Sequence, residues 1–284
     1  MIDTFTPKYT IGSVLNCGSY GTVYKAVSKG NGKEYAVKML PLNRQDIQKR
    51  ENEEMIKREI CHMRKLRKSP YVVKLEDICY DAENNVVLVE ELCNGPHLQH
   101  VLAHNKLTEV ESGRIICDVI KAISDCHNNK ILFCDLKPAN IIYSTQDKRF
   151  KLTDFGSSIR LDGQMIAHLP YNFATTPTFA APEMIDRTLG NVTPASDVWA
   201  IGVLAYWLLF KSHPFLDFYA NHNQNVVDNV LTRDPTYDIY PVSPDAINFV
   251  KSILLKNPKK RIDVVEDLIE HPFIKKCQHS NIQI

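Results

Sequence analysis

The chain predicts an α+β fold in two lobes, small and β-rich at the amino end, larger and mostly helical after it. Three observations carry that prediction. The first third alternates apolar and polar residues at strand period around one charged helical stretch. Most of the remaining two thirds repeats apolar residues at helical spacing. Between the two, Cys93-Asn94-Gly95-Pro96 breaks both patterns and reads as a hinge.

Taken in order, Tyr9-Thr-Ile-Gly-Ser-Val-Leu15 and Thr22-Val-Tyr-Lys-Ala-Val27 alternate as two strands. The tip between them, Asn16-Cys17-Gly18-Ser19-Tyr20-Gly21, carries two glycines. Glycine lets backbone N–H groups approach a phosphate because no Cβ intervenes, but an ordinary hairpin turn has the same composition. The next strand, Glu34-Tyr-Ala-Val-Lys-Met-Leu40, sets Lys38 in an apolar run. A lysine there either snorkels from an edge or is held by a carboxylate and phosphate oxygens. Residues 42–68 form a charged helical region whose stripe of Ile56, Ile60, Met63 and Leu66 faces a core. Glu59 lies beside that stripe and can reach inward; Pro70 ends the helix. Strands over 72–78 and 85–92 complete the lobe.

Beyond the hinge, 97–104 is a short helix and 108–129 a long one, opening on the capping box Thr108-Glu-Val-Glu111. His127 near its end reads as structural. Next, Ile131-Leu-Phe-Cys-Asp-Leu-Lys-Pro-Ala-Asn-Ile-Ile-Tyr143 mounts a polar loop between two apolar flanks. Asp135 can take a hydroxyl proton, Lys137 can meet a phosphate and Asn140 can ligate a metal, which together make a phosphoryl-transfer set. A short strand, Phe150-Lys-Leu-Thr153, runs into Asp154-Phe155-Gly156. That is a common turn, and it also offers Asp154 as a second hard oxygen beside Asn140 for magnesium. Residues 157–178 are polar and irregular, and a connection of that length reads as functional or disordered. They lead to Ala181-Pro182-Glu183, then to a buried helix over 198–210 with Asp197 at its start, then to further helices and a loose tail.

Composition excludes several classes. A net charge of +1 argues against a nucleic-acid binder that relies on a strongly basic surface. The longest apolar run, 198–210, is too short to span a bilayer, and the first residues lack the apolar core of a signal peptide. Eight cysteines without a CxxC pair suggest neither a zinc site nor a disulfide framework. The expectation is a soluble cytoplasmic or nuclear protein with no membrane insertion.

The ordered series resembles the eukaryotic-type protein kinase family from about Tyr9 to Ile274. It comprises the glycine tip, Ala36-Val-Lys38, Glu59, Asp135-Leu-Lys-Pro-Ala-Asn140, Asp154-Phe-Gly156, Ala181-Pro-Glu183, Ser196-Asp-Val-Trp199 and Arg261. The resemblance implies a kinase domain over 9–274, with an N-lobe over about 9–92, a hinge at 91–95 and a C-lobe from 96, followed by a tail over 275–284. It implies ATP and Mg2+ as cofactors and protein substrates with Ser or Thr acceptors. Lys38 would pair with Glu59 and hold the α- and β-phosphates. The nucleotide loop would run through Leu15, Asn16, Cys17, Gly18, Ser19, Tyr20, Gly21, Thr22 and Val23, with Gly18 and Gly21 folding over the phosphates. Adenine would meet the backbone of Glu91 and Cys93 between Val23, Ala36 and Ile142. Asp135 would act as base, Lys137 would steady the γ-phosphate, and Asn140 and Asp154 would ligate magnesium. Glu183 would brace the C-lobe through Arg261. Lys137 and Thr176 match the serine/threonine branch.

Four positions depart from the family pattern. Asn16 replaces the first glycine of the loop and is expected to keep its turn by tolerating positive φ. Phe133-Cys134 replaces His-Arg before Asp135. Phenylalanine suits an apolar stack with Met63, Leu75 and Phe155, whereas Cys134 cannot grip an activation-segment phosphate, so activity independent of that contact is expected. Glu90 stands where a hydrophobic or Thr residue is usual, and it either competes with Glu59 for Lys38 or turns to water. His97 and Ala139 stand where acids would read arginine in a substrate, so no strong demand for arginine just before the acceptor is expected. Cys17, Cys93 and Cys134 read as small apolar fillers. These departures motivate an alternative, a pseudokinase scaffold, although Lys38, Glu59, Asp135, Lys137, Asn140 and Asp154 are all present. A small-molecule phosphotransferase is a more distant reading. Regulation is expected to be internal or to come from a partner.

Overall fold

The alternating segments pair into a five-stranded antiparallel sheet of order β1-β2-β3-β5-β4. Its strands are β1 (Tyr9–Gly18), β2 (Gly21–Ser28), β3 (Glu34–Leu40), β4 (Leu75–Tyr80) and β5 (Val86–Glu91). A computed structural model describes residues 3–18, 21–41, 47–170, 173, 175–216, 226–238, 240–262, 265–280 and 282, with only the backbone at 18, 47–51 and 266. Register sets Ala36 against Glu90 and Lys38 against Leu88. Gly21 adopts a φ of 153°, and a Cβ there would collide with the Met39 carbonyl, so the strand entry requires glycine. Asn16 pairs with Val23 inside β1 and is not among the positive-φ residues, so its tolerance of that region is not called upon.

Helix α1 (Ile47–Lys65) packs Ile56 against Leu40, Val86 and Leu88 of the sheet. It ends ahead of Pro70, and the expected strand over 72–78 begins only at Leu75. Val72 is drawn off because it bridges to Leu152 in the second lobe, and Val73 N donates to Leu152 O at 2.9 Å.

The second lobe contains α2 (Leu98–His104), α3 (Glu109–Asn128), α4 (Pro182–Ile185), α5 (Pro194–Phe210), α6 (Val226–Thr232), α7 (Pro244–Ile253), α8 (Val265–Ile269) and α9 (Pro272–Cys277). The capping box at Thr108 forms in both directions, with Thr108 N to Glu111 Oε2 at 2.9 Å and Glu111 N to Thr108 Oγ1 at 3.2 Å. Helix α5 runs through the core, apolar on all sides, with Trp199, Ile201, Val203 and Leu208 fully buried. Gly113 of α3 lets α9 sit close, since a Cβ would strike Cys277. Two short ribbons carry the polar loops: β6 (Ile131–Leu132) pairs with β9 (Ile159–Arg160), and β7 (Ile141–Ser144) with β8 (Arg149–Leu152). Met63 of α1 and Leu66 just beyond it belong to the core of this lobe, together with Phe133 and Phe155. Among the described residues, no helix is long and apolar enough to cross a membrane.

Candidate active site

Where the sheet meets the β7–β8 ribbon, a cleft of about 360 Å³ opens beside the hinge. Of the residues singled out from sequence, Leu15, Asn16, Gly21, Val23, Ala36, Lys38, Glu91, Cys93, Asn140, Ile142 and Asp154 line it. Cys17 and Thr22 do not; Cys17 pairs with Thr22, and Gly18 with Gly21, at the end of the hairpin. Ser19 and Tyr20 lie outside the described residues. Sequence reasoning passed over Lys25, Val73, Leu92, Asn94, Gly95 and Thr153 as wall residues. Gly95 carried a signal in its hinge position: its N–H donates to Tyr143 O at 3.1 Å, and a Cβ would crowd that strand.

Lys38, in the middle of β3, is 7% exposed, and its ammonium lies 2.6 Å from Glu59 Oε1 and 2.8 Å from Asp154 Oδ1. Burial alone would push its pKa down, but Glu59, Asp154 and Glu90 together hold it raised. Burial raises the Glu59 carboxyl against the pull of Lys38, and buried Glu59 Oε2 has no hydrogen-bond partner among the described residues. Asp154 goes the other way, because Lys38 overcomes its burial and keeps it below the usual range. Its backbone sits at a φ of 64°, a conformation rare for non-glycine residues and frequent at functional sites. Glu90 settles between the two expected orientations. It forms no ion pair with Lys38, yet it is 7% exposed and lines the cleft. Burial pushes it up to about 8, with Lys38 opposing.

The loop from Asp135 to Asn140 is drawn together by hydrogen bonds. Lys137 Nζ donates to Asp135 Oδ2 at 2.7 Å and to Thr176 Oγ1 at 3.0 Å. Thr176 donates to Asp135 Oδ1 from its hydroxyl at 2.7 Å and from its backbone at 3.1 Å. Asn140 Nδ2 donates to Asp135 O at 2.9 Å and to Asp135 Oδ2 at 3.2 Å, leaving its amide oxygen for a cation. A lysine, an amide and a hydroxyl from two separated segments thus meet around one carboxylate.

Sequence reasoning did not assign Asp197 its part. From the start of α5 it accepts Phe133 N at 2.8 Å, Cys134 N at 2.9 Å and His127 Nε2 at 2.9 Å. It thereby holds Cys134 at a φ of 69° and fixes the approach to Asp135. His127 is structural, as its position suggested. Phe133 packs edge-on against Phe155 at 5.1 Å between centroids, with Met63 and Leu75 in the same core. Cys134 is buried, and burial pushes its thiol far up, which makes it a filler and not a nucleophile. Burial likewise pushes Cys93 up to about 12.

A two-lobed fold with a lysine–glutamate pair above and an aspartate–lysine–asparagine loop below a hinge cleft defines a protein kinase. The family model for the protein kinase domain matches residues 9–274, and the chain belongs to that family. It is 31% identical over 284 residues to the calcium/calmodulin-dependent protein kinase type II alpha chain of Drosophila melanogaster, covering 98% of this chain and 51% of that one. It is 32% identical to calcium-dependent protein kinase 5 of Plasmodium falciparum, covering 95% and 46%. It is 30% identical to calcium-dependent protein kinase 21 of Arabidopsis thaliana, covering 94% and 49%. The chain spans about half the length of the curated relatives it matches. The calcium dependence in their names is a property of those proteins.

Proposed function

We propose that the chain is a serine/threonine protein kinase that transfers the γ-phosphoryl group of ATP to Ser or Thr hydroxyls of protein substrates. The observation that carries this reading is the closed set of Asp135, Lys137, Asn140 and Thr176, all within hydrogen-bond distance of one another through Asp135 and Lys137. Asp135 orients the acceptor hydroxyl and takes its proton as the oxygen bonds to phosphorus and the β–γ bridging bond breaks. Lys137 balances charge on the moving phosphoryl group, and Lys38, oriented by Glu59, holds the α- and β-phosphates. Val23, Ala36 and Ile142 enclose the base, with the backbone of Glu91 and Cys93 to pair with it.

The residues present fit magnesium. Asp154 is kept ionised by Lys38, the amide nitrogen of Asn140 is already committed to Asp135, and two hard oxygens suit a cation that keeps several waters. Held by Asp154 and the amide oxygen of Asn140, magnesium would supply positive charge to offset that developing on the transferred phosphoryl group. Neither Ala139 nor His97, which burial keeps below its ordinary pKa, offers a negative charge, which supports the absence of a strong demand for arginine.

The test is magnesium-dependent transfer of phosphate from ATP to a generic protein substrate, with Asp135→Asn as control. A loss of about 10²- to 10⁴-fold in the variant is expected. Equal transfer by the two proteins sinks the proposal.

A further inference from the structure

Lys151 is 1% exposed, yet the phosphoryl transfer described for Asp135 and Lys38 makes no use of it. It stands in β8 between the core residues Phe150 and Leu152. Its ammonium lies 2.8 Å from Glu91 Oε1 and 2.6 Å from Asp147 Oδ2. Burial would lower its pKa, but the hydrogen bonds with Asp147 and Glu91 outweigh burial and keep it charged. Both acceptors are held in turn. Glu91 Oε1 also accepts Lys74 N at 2.9 Å, and Glu91 N donates to Lys74 O at 3.0 Å. Asp147 Oδ2 accepts Ser144 Oγ at 2.9 Å, and Asp147 N donates to Ser144 Oγ at 3.2 Å.

The two ends of this contact belong to different lobes. Glu91 closes β5, opposite Tyr35 of β3, at the point where the sheet passes into the hinge. Lys151 pairs in register with Ile142 on the cleft floor, and three residues later its strand delivers Asp154. Beyond Cys93 the hinge is already stitched to β7 by backbone, through Gly95 N to Tyr143 O and Tyr143 N to Pro96 O. The Lys151–Glu91 contact secures the residue ahead of it. Exposed ion pairs contribute little, whereas one with its lysine out of water depends on geometry and resists screening.

We propose that Lys151 is a positioning residue for the nucleotide: gripping Glu91 from the β7–β8 ribbon, it fixes the angle at which the two lobes meet the base. The inference rests on the kinase reading of the site. A hinge set in advance spares the nucleotide the cost of ordering it, so loosening it weakens binding more than it slows transfer.

The experiment uses the full chain with Lys151→Met and Lys151→Arg, reading KM for ATP, kcat, and the Kd for magnesium–ADP by calorimetry. Lys151→Met is expected to raise both KM and Kd roughly ten-fold with kcat nearly unchanged, and Lys151→Arg to recover most of the loss. Unchanged KM and Kd overturn the inference. So does a kcat that falls together with the thermal midpoint while KM stays put, since that marks a merely structural lysine. Should Lys151→Met fail to fold, Glu91→Gln reads the same contact, and a Kd for magnesium–ADP equal to wild type overturns it equally. A wild-type chain that binds magnesium–ADP but transfers no phosphate defeats the kinase reading, while the Kd comparison still decides the role of Lys151.

Discussion

Two buried ion pairs, one in each lobe, have opposite characters. Arg261 and Glu183 are both fully buried, and their polar atoms are taken up. Arg261 Nη1 meets Glu183 Oε1 at 2.8 Å and Ala195 O at 2.7 Å, while Nη2 meets Glu183 Oε2 at 3.2 Å and Leu255 O at 2.9 Å. Ser196 adds a donor to Glu183, and the guanidinium lies over the ring of Trp199 at 5.0 Å. Around Lys38, by contrast, one ammonium faces Glu59, Asp154 and, at longer range, Glu90, and Glu59 Oε2 finds no hydrogen-bond partner among the described residues. A network with every atom satisfied fastens a fold. A network with a carboxylate oxygen to spare and a side open to the cleft leaves its groups able to take other partners.

The largest expected effect tests the closed pair. Arg261→Ala strands Glu183 as a buried charge and is expected to cost about 3–5 kcal/mol, read as a lower thermal midpoint. Lys38→Met tests the open one. Transfer is expected to fall about 10²- to 10³-fold. The midpoint should move far less, since Glu59, already raised in pKa, can take up a proton. A midpoint loss in Lys38→Met as large as that of Arg261→Ala breaks the comparison.

Glu90→Gln sharpens it through pH. The folded Glu90 carboxyl titrates at about 8 against an ordinary 4.5. From about pH 4.5 to 8 the unfolded chain gives up a proton that the folded chain keeps, so wild-type stability falls as pH rises and levels off above that window. The variant is expected to flatten this slope, gaining on wild type toward pH 8 and matching it near pH 4.5. Parallel stability curves for the two proteins discount a buried neutral carboxyl.

The smallest effect concerns Cys134. From Ile159 to Ala174 the chain has no serine or threonine, and the flanking hydroxyls are engaged: Ser158 donates to Phe155 O, and Thr175 donates to Cys134 O at 2.9 Å. Phosphatase treatment is therefore expected to leave specific activity unchanged. A large loss overturns the expectation and means that a phosphate acts through a residue other than Cys134.

The sheet and α3 were legible because their signals are local, in the alternation around Lys38 and the capping box at Thr108. The Lys38–Glu59 pair was legible because a lysine in an apolar strand needs a carboxylate, and Glu59 lies beside the apolar stripe of α1. What escaped depended on distant partners. Lys151 looks like any strand lysine until Glu91, 60 positions earlier, is brought beside it. Asp197 reads as a helix-start acid until the fold places it under Phe133 and Cys134. Val72 continues the β4 pattern, and only the second lobe's Leu152 removes it from that strand.

Glu90 has a further consequence for inhibitor selectivity. Where relatives usually present an apolar or threonine side chain at the inner wall of the cleft, this chain presents a carboxyl held mostly neutral, able both to donate and to accept. A compound that pushes a chlorophenyl or other apolar group past the base would leave that carboxyl unpaired, at a cost of about 1–3 kcal/mol. A carboxamide or aminopyridine tail could pair with it on both sides and would lose that advantage against relatives with an apolar wall.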